Sequence, residues 1–154
     1  MSAVVVVGVD GSTESVRALR WALAAAAERH WRLEVVTAWP HTGPVFVREV
    51  PGHHSDARER ARVAQADALR RALAETPAAV PVSMVLENAR PEDALVLRAR
   101  GKQLLVVGTS GGPVEEHRTG LAGRCRVQVD CPVAVVPADV DDARILEPLA
   151  RAPG

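Results

Sequence analysis

Three short segments carry residues that could do chemistry. Asp10-Gly11-Ser12 follows the apolar run Ala3-Val4-Val5-Val6-Val7-Gly8-Val9. Gly108-Thr109-Ser110-Gly111-Gly112 follows a second apolar run, Leu104-Leu105-Val106-Val107. Thr119-Gly120 precedes a stretch of helical pattern. The Asp10 carboxylate can hydrogen-bond a ribose hydroxyl or an adenine edge, or it can form an Asx turn at the start of a helix. The glycine-rich stretch can line a phosphate with backbone N–H groups, or it can simply connect strand to helix. Thr119 and Gly120 can offer unpaired N–H groups to an anion, or act as an ordinary N-cap. Glu115 and Glu116 would repel a phosphate that they faced. They can instead face solvent, or hold a magnesium ion that arrives with a nucleotide.

Other reactive side chains form no recognisable set. His41, His53 and His54 share one loop, but no carboxylate or cysteine completes a tetrahedral metal site, and a solvated loop is expected. Trp39 can stack on a base or pack against the loop. Arg124 and Arg126 flank Cys125 and could activate it, although packing is expected. Cys125 and Cys131 have no metal-pair spacing and read as reduced. Lys102 is the only lysine. No Ser-His-Asp set is spaced as a triad, and no G-x-S-x-G turn appears. An enzyme, at most a slow ATPase, therefore has the least support. Nothing in the composition calls for nucleic acid or membrane: 19 basic and 19 acidic residues cancel. The absence of an 18-residue apolar span or a charged leader points to the cytoplasm.

These residues need a scaffold. With 154 residues, 47% of them hydrophobic, the chain is the size of one domain and can bury a core. Unbroken β-branched runs suit strands buried on both faces, as in a parallel sheet. Helical spacing of Val16, Leu19, Leu23 and Ala26 predicts a first helix from the Ser12 cap to Arg29. Leu33–Ala38 reads as strand 2, 55–75 as helix 2, Pro81–Glu87 as strand 3 and Pro91 as the opening of helix 3. Leu104–Val107 is strand 4, Thr119–Val129 helix 4 and Val133–Val136 strand 5. This alternation predicts a doubly wound α/β domain over residues 1–137. Its sheet has five parallel strands in the order 3-2-1-4-5 with helices on both faces. Residues 138–154 form a tail. One side of strand 5 is then an open edge.

Four segments in this order resemble the universal stress protein family. They are Gly8-Val9-Asp10-Gly11-Ser12, Ala89-Arg90-Pro91-Glu92-Asp93-Ala94-Leu95, Val106-Val107-Gly108-Thr109-Ser110-Gly111 and Cys131-Pro132-Val133-Ala134-Val135-Val136. The resemblance spans Val4 to Val136. It implies ATP or another adenine nucleotide, held by Asp10, by the backbone at Ala38, and by a glycine stretch in which Gly108 and Gly111 match. The third glycine of that stretch falls at Thr119-Gly120, with a spacer two residues short. The spacer is charged, Glu115-Glu116-His117-Arg118, where the family is often apolar. The resemblance also implies a homodimer through strand 5, Val133, Ala134, Val135 and Val136, and a role in stress response. A member without nucleotide, acting through dimerisation and partner contacts, is the alternative.

Overall fold

The computed structural model describes residues 3–39, 56–109 and 120–148. The valine run becomes β1 (Val4–Gly8), followed by α1 (Thr13–Arg29), β2 (Arg32–Ala38), α2 (Asp56–Glu75) and β3 (Val82–Glu87). Then come α3 (Pro91–Ala99), β4 (Leu104–Gly108), α4 (Leu121–Arg126) and β5 (Val133–Val136). A single 3-10 turn, Val140–Asp142, leads to a sixth strand, β6 (Arg144–Leu146). The strand order is β3-β2-β1-β4-β5-β6. The first five strands are parallel, and β6 pairs antiparallel with β5. No described helix is long and apolar enough to cross a membrane.

The inner strands β1, β4 and β5 are buried on both sides, which is why they read as continuous apolar runs. On one face Val5, Val7, Leu33, Val35 and Val106 pack against Leu19 and Leu23 of α1 and Ala68 and Ala72 of α2. On the other, Val6, Val36, Leu105, Val107, Val133 and Val135 pack against Ala94 and Leu95 of α3 and Cys125 of α4. Alanines on the helices let them lie close to the branched strand residues. Gln65 of α2 is buried, and its Nε2 donates to the carbonyls of Val35 and Val85 at 3.1 and 2.8 Å.

Three expectations need correction. The sheet has six strands rather than five, and β5 is not an open edge. Val133, Ala134 and Val135 pair with Leu146, Ile145 and Arg144. The chain reverses at the 3-10 turn, where the Asp139 carboxylate accepts from the Asp141 N–H at 3.0 Å. A three-residue strand is too short to show periodicity, so only its pairing reveals it. Helix 4 is also shorter than expected. Gly120 occupies its N-cap and the helix stops at Arg126. Gly123 within it and the β-branched Val127 and Val129 after it give little helical propensity.

One charged residue lies inside the sheet. Glu34 of β2 is 6% exposed and faces α3. Arg98 Nε meets its Oε1 at 2.5 Å, Lys102 Nζ lies 3.5 Å from its Oε2, and Arg98 also reaches Glu87 at 3.5 Å. Lys102 further donates to the Arg98 carbonyl at 2.8 Å, neutralising the C-terminal end of α3. A buried carboxylate is tolerated only when paired in this way. Arg98→Met should therefore cost about 3 kcal/mol, the low end for a broken buried pair because Lys102 remains. Adding Glu34→Leu should recover most of the loss. Urea denaturation of the single and double variants checks both statements. Equal stability of wild type and Arg98→Met would show that the pair does not hold α3 down.

Candidate functional site

The carboxyl ends of parallel strands share one rim, and a crevice opens where successive crossovers go to opposite faces. Here α1 leaves β1 on one face, and α3 enters β4 on the other. The crevice therefore lies between β1 and β4. A cavity of about 140 Å³ occupies it. Gly8, Val9 and Asp10 line it after β1, Ser12, Glu14 and Ser15 from the start of α1, and Val36 and Ala38 from β2. Pro91, Ala94 and Leu95 of α3, Val107 and Gly108 of β4, and Leu121 of α4 complete the lining. Among the described residues the walls are apolar, the polar groups gather at the start of α1, and the only charged lining residues are Asp10 and Glu14.

Asp10 is an exposed residue on the rim. Its Oδ1 accepts from the Ser12 N–H at 2.9 Å, an Asx turn. Its own N–H donates to Ser15 Oγ at 3.3 Å. The Ser12 hydroxyl caps α1 by accepting from the Ser15 N–H at 3.2 Å, and Ser15 Oγ donates to the Ser12 carbonyl at 3.0 Å. Gly11 sits between them at φ +88°, a left-handed conformation that favours glycine. Burial pushes the Asp10 carboxyl up. The hydrogen bonds from Ser12, with those of Ser15 and its own backbone, outweigh it and hold the group below its ordinary value. Asp10 is thus a preorganised anion with one oxygen engaged in the turn.

The rim is tied together from several sides. The Val9 N–H donates to the Val36 carbonyl at 2.9 Å, and Thr37 Oγ1 donates to the Val9 carbonyl at 2.7 Å. The Asn88 amide donates to the Trp39 carbonyl at 2.8 Å. Trp39 itself does not line the cavity. Gly108 has a packing reason to be glycine. A Cβ there would lie 2.3 Å from the Glu14 carbonyl oxygen, so its absence lets the first turn of α1 rest on the end of β4. At Gly8 a Cβ would meet only the Leu95 side chain, at 3.0 Å.

Of the residues expected at a nucleotide site, Asp10, Ala38 and Gly108 come together around the cavity, and Gly120 is the N-cap of α4, next in sequence to the lining residue Leu121. Gly111 and Thr119 lie outside the described residues. So do Ser110, Glu115, Glu116, His41, His53 and His54. No group of three metal-ligating side chains occurs among the described residues. Cys125 is buried and free, its thiol pushed up to about 12 by burial and the nearby Glu92, with Arg124 opposing. It packs rather than reacts. Sequence reasoning missed the α3 wall, Pro91, Ala94 and Leu95. The small residue at Gly8, opposite Leu95, is the signal that could have found it.

A model of the universal stress protein family matches residues 1–137. A universal stress protein of Mycobacterium tuberculosis is 31% identical over 137 residues, which are 86% of this chain and 47% of that protein. The chain thus spans about half the length of this curated relative. A universal stress protein family structure from Burkholderia pseudomallei is 27% identical with a TM-score of 0.64, covering 88% of this chain and 96% of that one. A universal stress protein solved in complex with cAMP shares the fold at 23% identity and a TM-score of 0.65, covering 87% and 96%.

Two outcomes follow from this geometry. Gly108→Ala should destabilise the fold by about 1–3 kcal/mol, because backbone must move, whereas Gly8→Ala should cost less, because Leu95 can turn aside; thermal unfolding of both variants compares them. Asp10 also leaves a pH signature. Its folded pKa is depressed below the ordinary 3.8, so its contribution is full above that pH and is lost as pH falls through the lowered value. Asp10→Asn keeps an acceptor for the Asx turn but cannot titrate. Acid unfolding below about pH 4 should be less steep in Asp10→Asn than in wild type; superimposable acid limbs would contradict the assignment.

Proposed function

The chain belongs to the universal stress protein family, and we propose that it is a cytoplasmic stress-response regulatory protein holding an adenine nucleotide at the carboxyl ends of β1, β2 and β4. The observation that carries the reading is the apolar cavity at the β1–β4 crevice with a preorganised carboxylate on its rim. Its volume of about 140 Å³ is well below that of a pocket for a whole drug-sized ligand. It suits a planar base, with the rest of the ligand lying across the rim. The backbone at Ala38 would bind the edge of the base, and Ala94 and Leu95 would cover its face. The Asp10 oxygen outside the Asx turn would accept from ribose hydroxyls. The backbone from Gly108 through Gly111, with Thr119 and Gly120, would receive the first phosphate.

The same lining argues for few phosphates. Asp10 and Glu14 repel further negative charge, and no basic side chain offsets them among the described lining residues. If Glu115 and Glu116 face the phosphates they add to that repulsion; facing solvent they would not, and they could instead hold a magnesium ion that arrives with the nucleotide. The residues present fit adenosine and a monophosphate better than a triphosphate. The related protein solved with cAMP shares this fold, and its ligand also has one phosphate. The reading is a site that senses or regulates by binding rather than one that catalyses. A homodimer through Val133–Val136 belongs to this reading only where β6 has left that edge.

Calorimetric titration with AMP and ATP tests it. AMP should bind more tightly than ATP in the absence of magnesium. Asp10→Ala should weaken AMP by about 1–3 kcal/mol, or roughly 5- to 150-fold, with the fold intact by circular dichroism. Glu115→Gln with Glu116→Gln should tighten ATP more than AMP. Absence of binding by every form would favour a family member that works through partner contacts alone.

A further inference from the structure

We infer that Thr37 is a positioning residue of the crevice: its hydroxyl takes the Val9 carbonyl and so keeps the Ala38 N–H, with the Ala38 carbonyl beside it, unpaired for the edge of a nucleobase. This role rests on the nucleotide reading of the crevice, and Thr37 itself does not line the cavity. In a strand each residue sends its N–H and C=O to one side, and successive residues alternate. Along β2 the N–H groups of Leu33 and Trp39 donate towards β3, to the Pro81 and Glu87 carbonyls, both at 2.9 Å. The even positions face β1. The Arg32 N–H donates to the Ala3 carbonyl at 2.8 Å, and the Val36 carbonyl accepts from the Val9 N–H at 2.9 Å. Ala38 is the next even position, and the acceptor that this register offers its N–H is the Val9 carbonyl.

That ladder bond is replaced by a side chain. Thr37, 3% exposed, donates from Oγ1 to the Val9 carbonyl at 2.7 Å, and among the described residues no backbone carbonyl accepts from the Ala38 N–H. The chain after Val9 turns away from β2, with the Asp10 N–H on Ser15 Oγ and the Ser12 N–H on Asp10 Oδ1. No described N–H therefore reaches the Ala38 carbonyl. The direction of that carbonyl is set from the other side. The Trp39 N–H lies opposite it across one planar peptide unit, so its bond to Glu87 aims the Ala38 carbonyl away from β3 and at the crevice. The Asn88 amide holds the next carbonyl, that of Trp39, at 2.8 Å. One donor and one acceptor thus stand side by side on a residue that lines the cavity. Backbone groups withdrawn from water are seldom left unpaired. A ligand edge that satisfies both carries a ring nitrogen next to an exocyclic amino group. Without the Thr37 hydroxyl, the Val9 carbonyl becomes the ladder acceptor for Ala38, and β1–β2 pairing closes one bond further into the site.

Amide hydrogen exchange by NMR, with AMP as the probe, tests this in wild type, Thr37→Val and Thr37→Ser. In free wild type the Ala38 amide should exchange at least about tenfold faster than the paired amides of Val9 and Trp39, and saturating AMP should slow it. Thr37→Val should slow Ala38 exchange in the free protein at least about tenfold, the opposite of what loosened packing produces. It should also weaken AMP roughly tenfold, the factor for one net hydrogen bond. Thr37→Ser keeps the hydroxyl and should match wild type in both readouts. A slow Ala38 amide in free wild type overturns the inference, as does bound AMP that leaves Ala38 exchange unchanged; neither result needs a variant, so both hold if Thr37→Val does not fold. Unchanged AMP affinity in a folded Thr37→Val also overturns it. In all three cases AMP binding by wild type leaves the nucleotide reading standing. If no form binds AMP, that reading fails and the inference fails with it.

Discussion

The close approach of α1 to the end of β4 is the constraint on which the rest of the site depends. Gly108 has no side chain, so the Glu14 carbonyl can lie where a Cβ would be. That contact sets the start of α1 against the β1–β4 crevice. Once α1 begins there, Asp10, Gly11 and Ser12 must turn the chain within three residues. The Asx turn, the left-handed glycine and the Ser12 cap are the means. The acidic rim is then a consequence of how the helix is seated. The glycine after β4 therefore serves packing first, and its proximity to a ligand follows from the same geometry.

Much of this was legible in the sequence because the signals were long or covalently local. Unbroken β-branched runs such as Val4–Val7 suit doubly buried strands, and alternation with helices then favours a parallel, doubly wound topology. Asp10 and Ser12 act within a few residues of themselves, so their capping role is readable from spacing. The α3 wall was not legible in the same way. Leu95 meets Gly8 only because the sheet order places α3 over β1. Glu34 shows a similar limit. A glutamate in a strand reads as a solvent-facing position, and only Arg98 and Lys102, more than sixty residues away in sequence, make its burial possible. β6 was hidden for a different reason. Three residues carry no period, and their strand state is created by the edge they pair with.

The two ends of the sheet's architecture thus have separate physical logic. The carboxyl rim is fixed by tight backbone packing and hydrogen bonds among Asp10, Ser12, Ser15, Thr37 and Val9. Such preorganisation reduces the ordering cost of binding a small ligand. The β5–β6 edge is held by a three-residue ladder, the packed Leu146 and the Arg126–Glu147 hydrogen bond. β4 lies beside both β1 and β5, so the rim of the crevice and the β5–β6 edge belong to one continuous sheet.

The most direct measurement of the central claim is an AMP titration followed by amide chemical shifts of the isotopically labelled chain. The account predicts saturable shifts confined to the crevice, at Gly8–Ser15, Val36–Ala38, Ala94, Leu95 and Gly108, and lost in Asp10→Ala. Shifts that do not saturate, or that gather away from these residues, would contradict it.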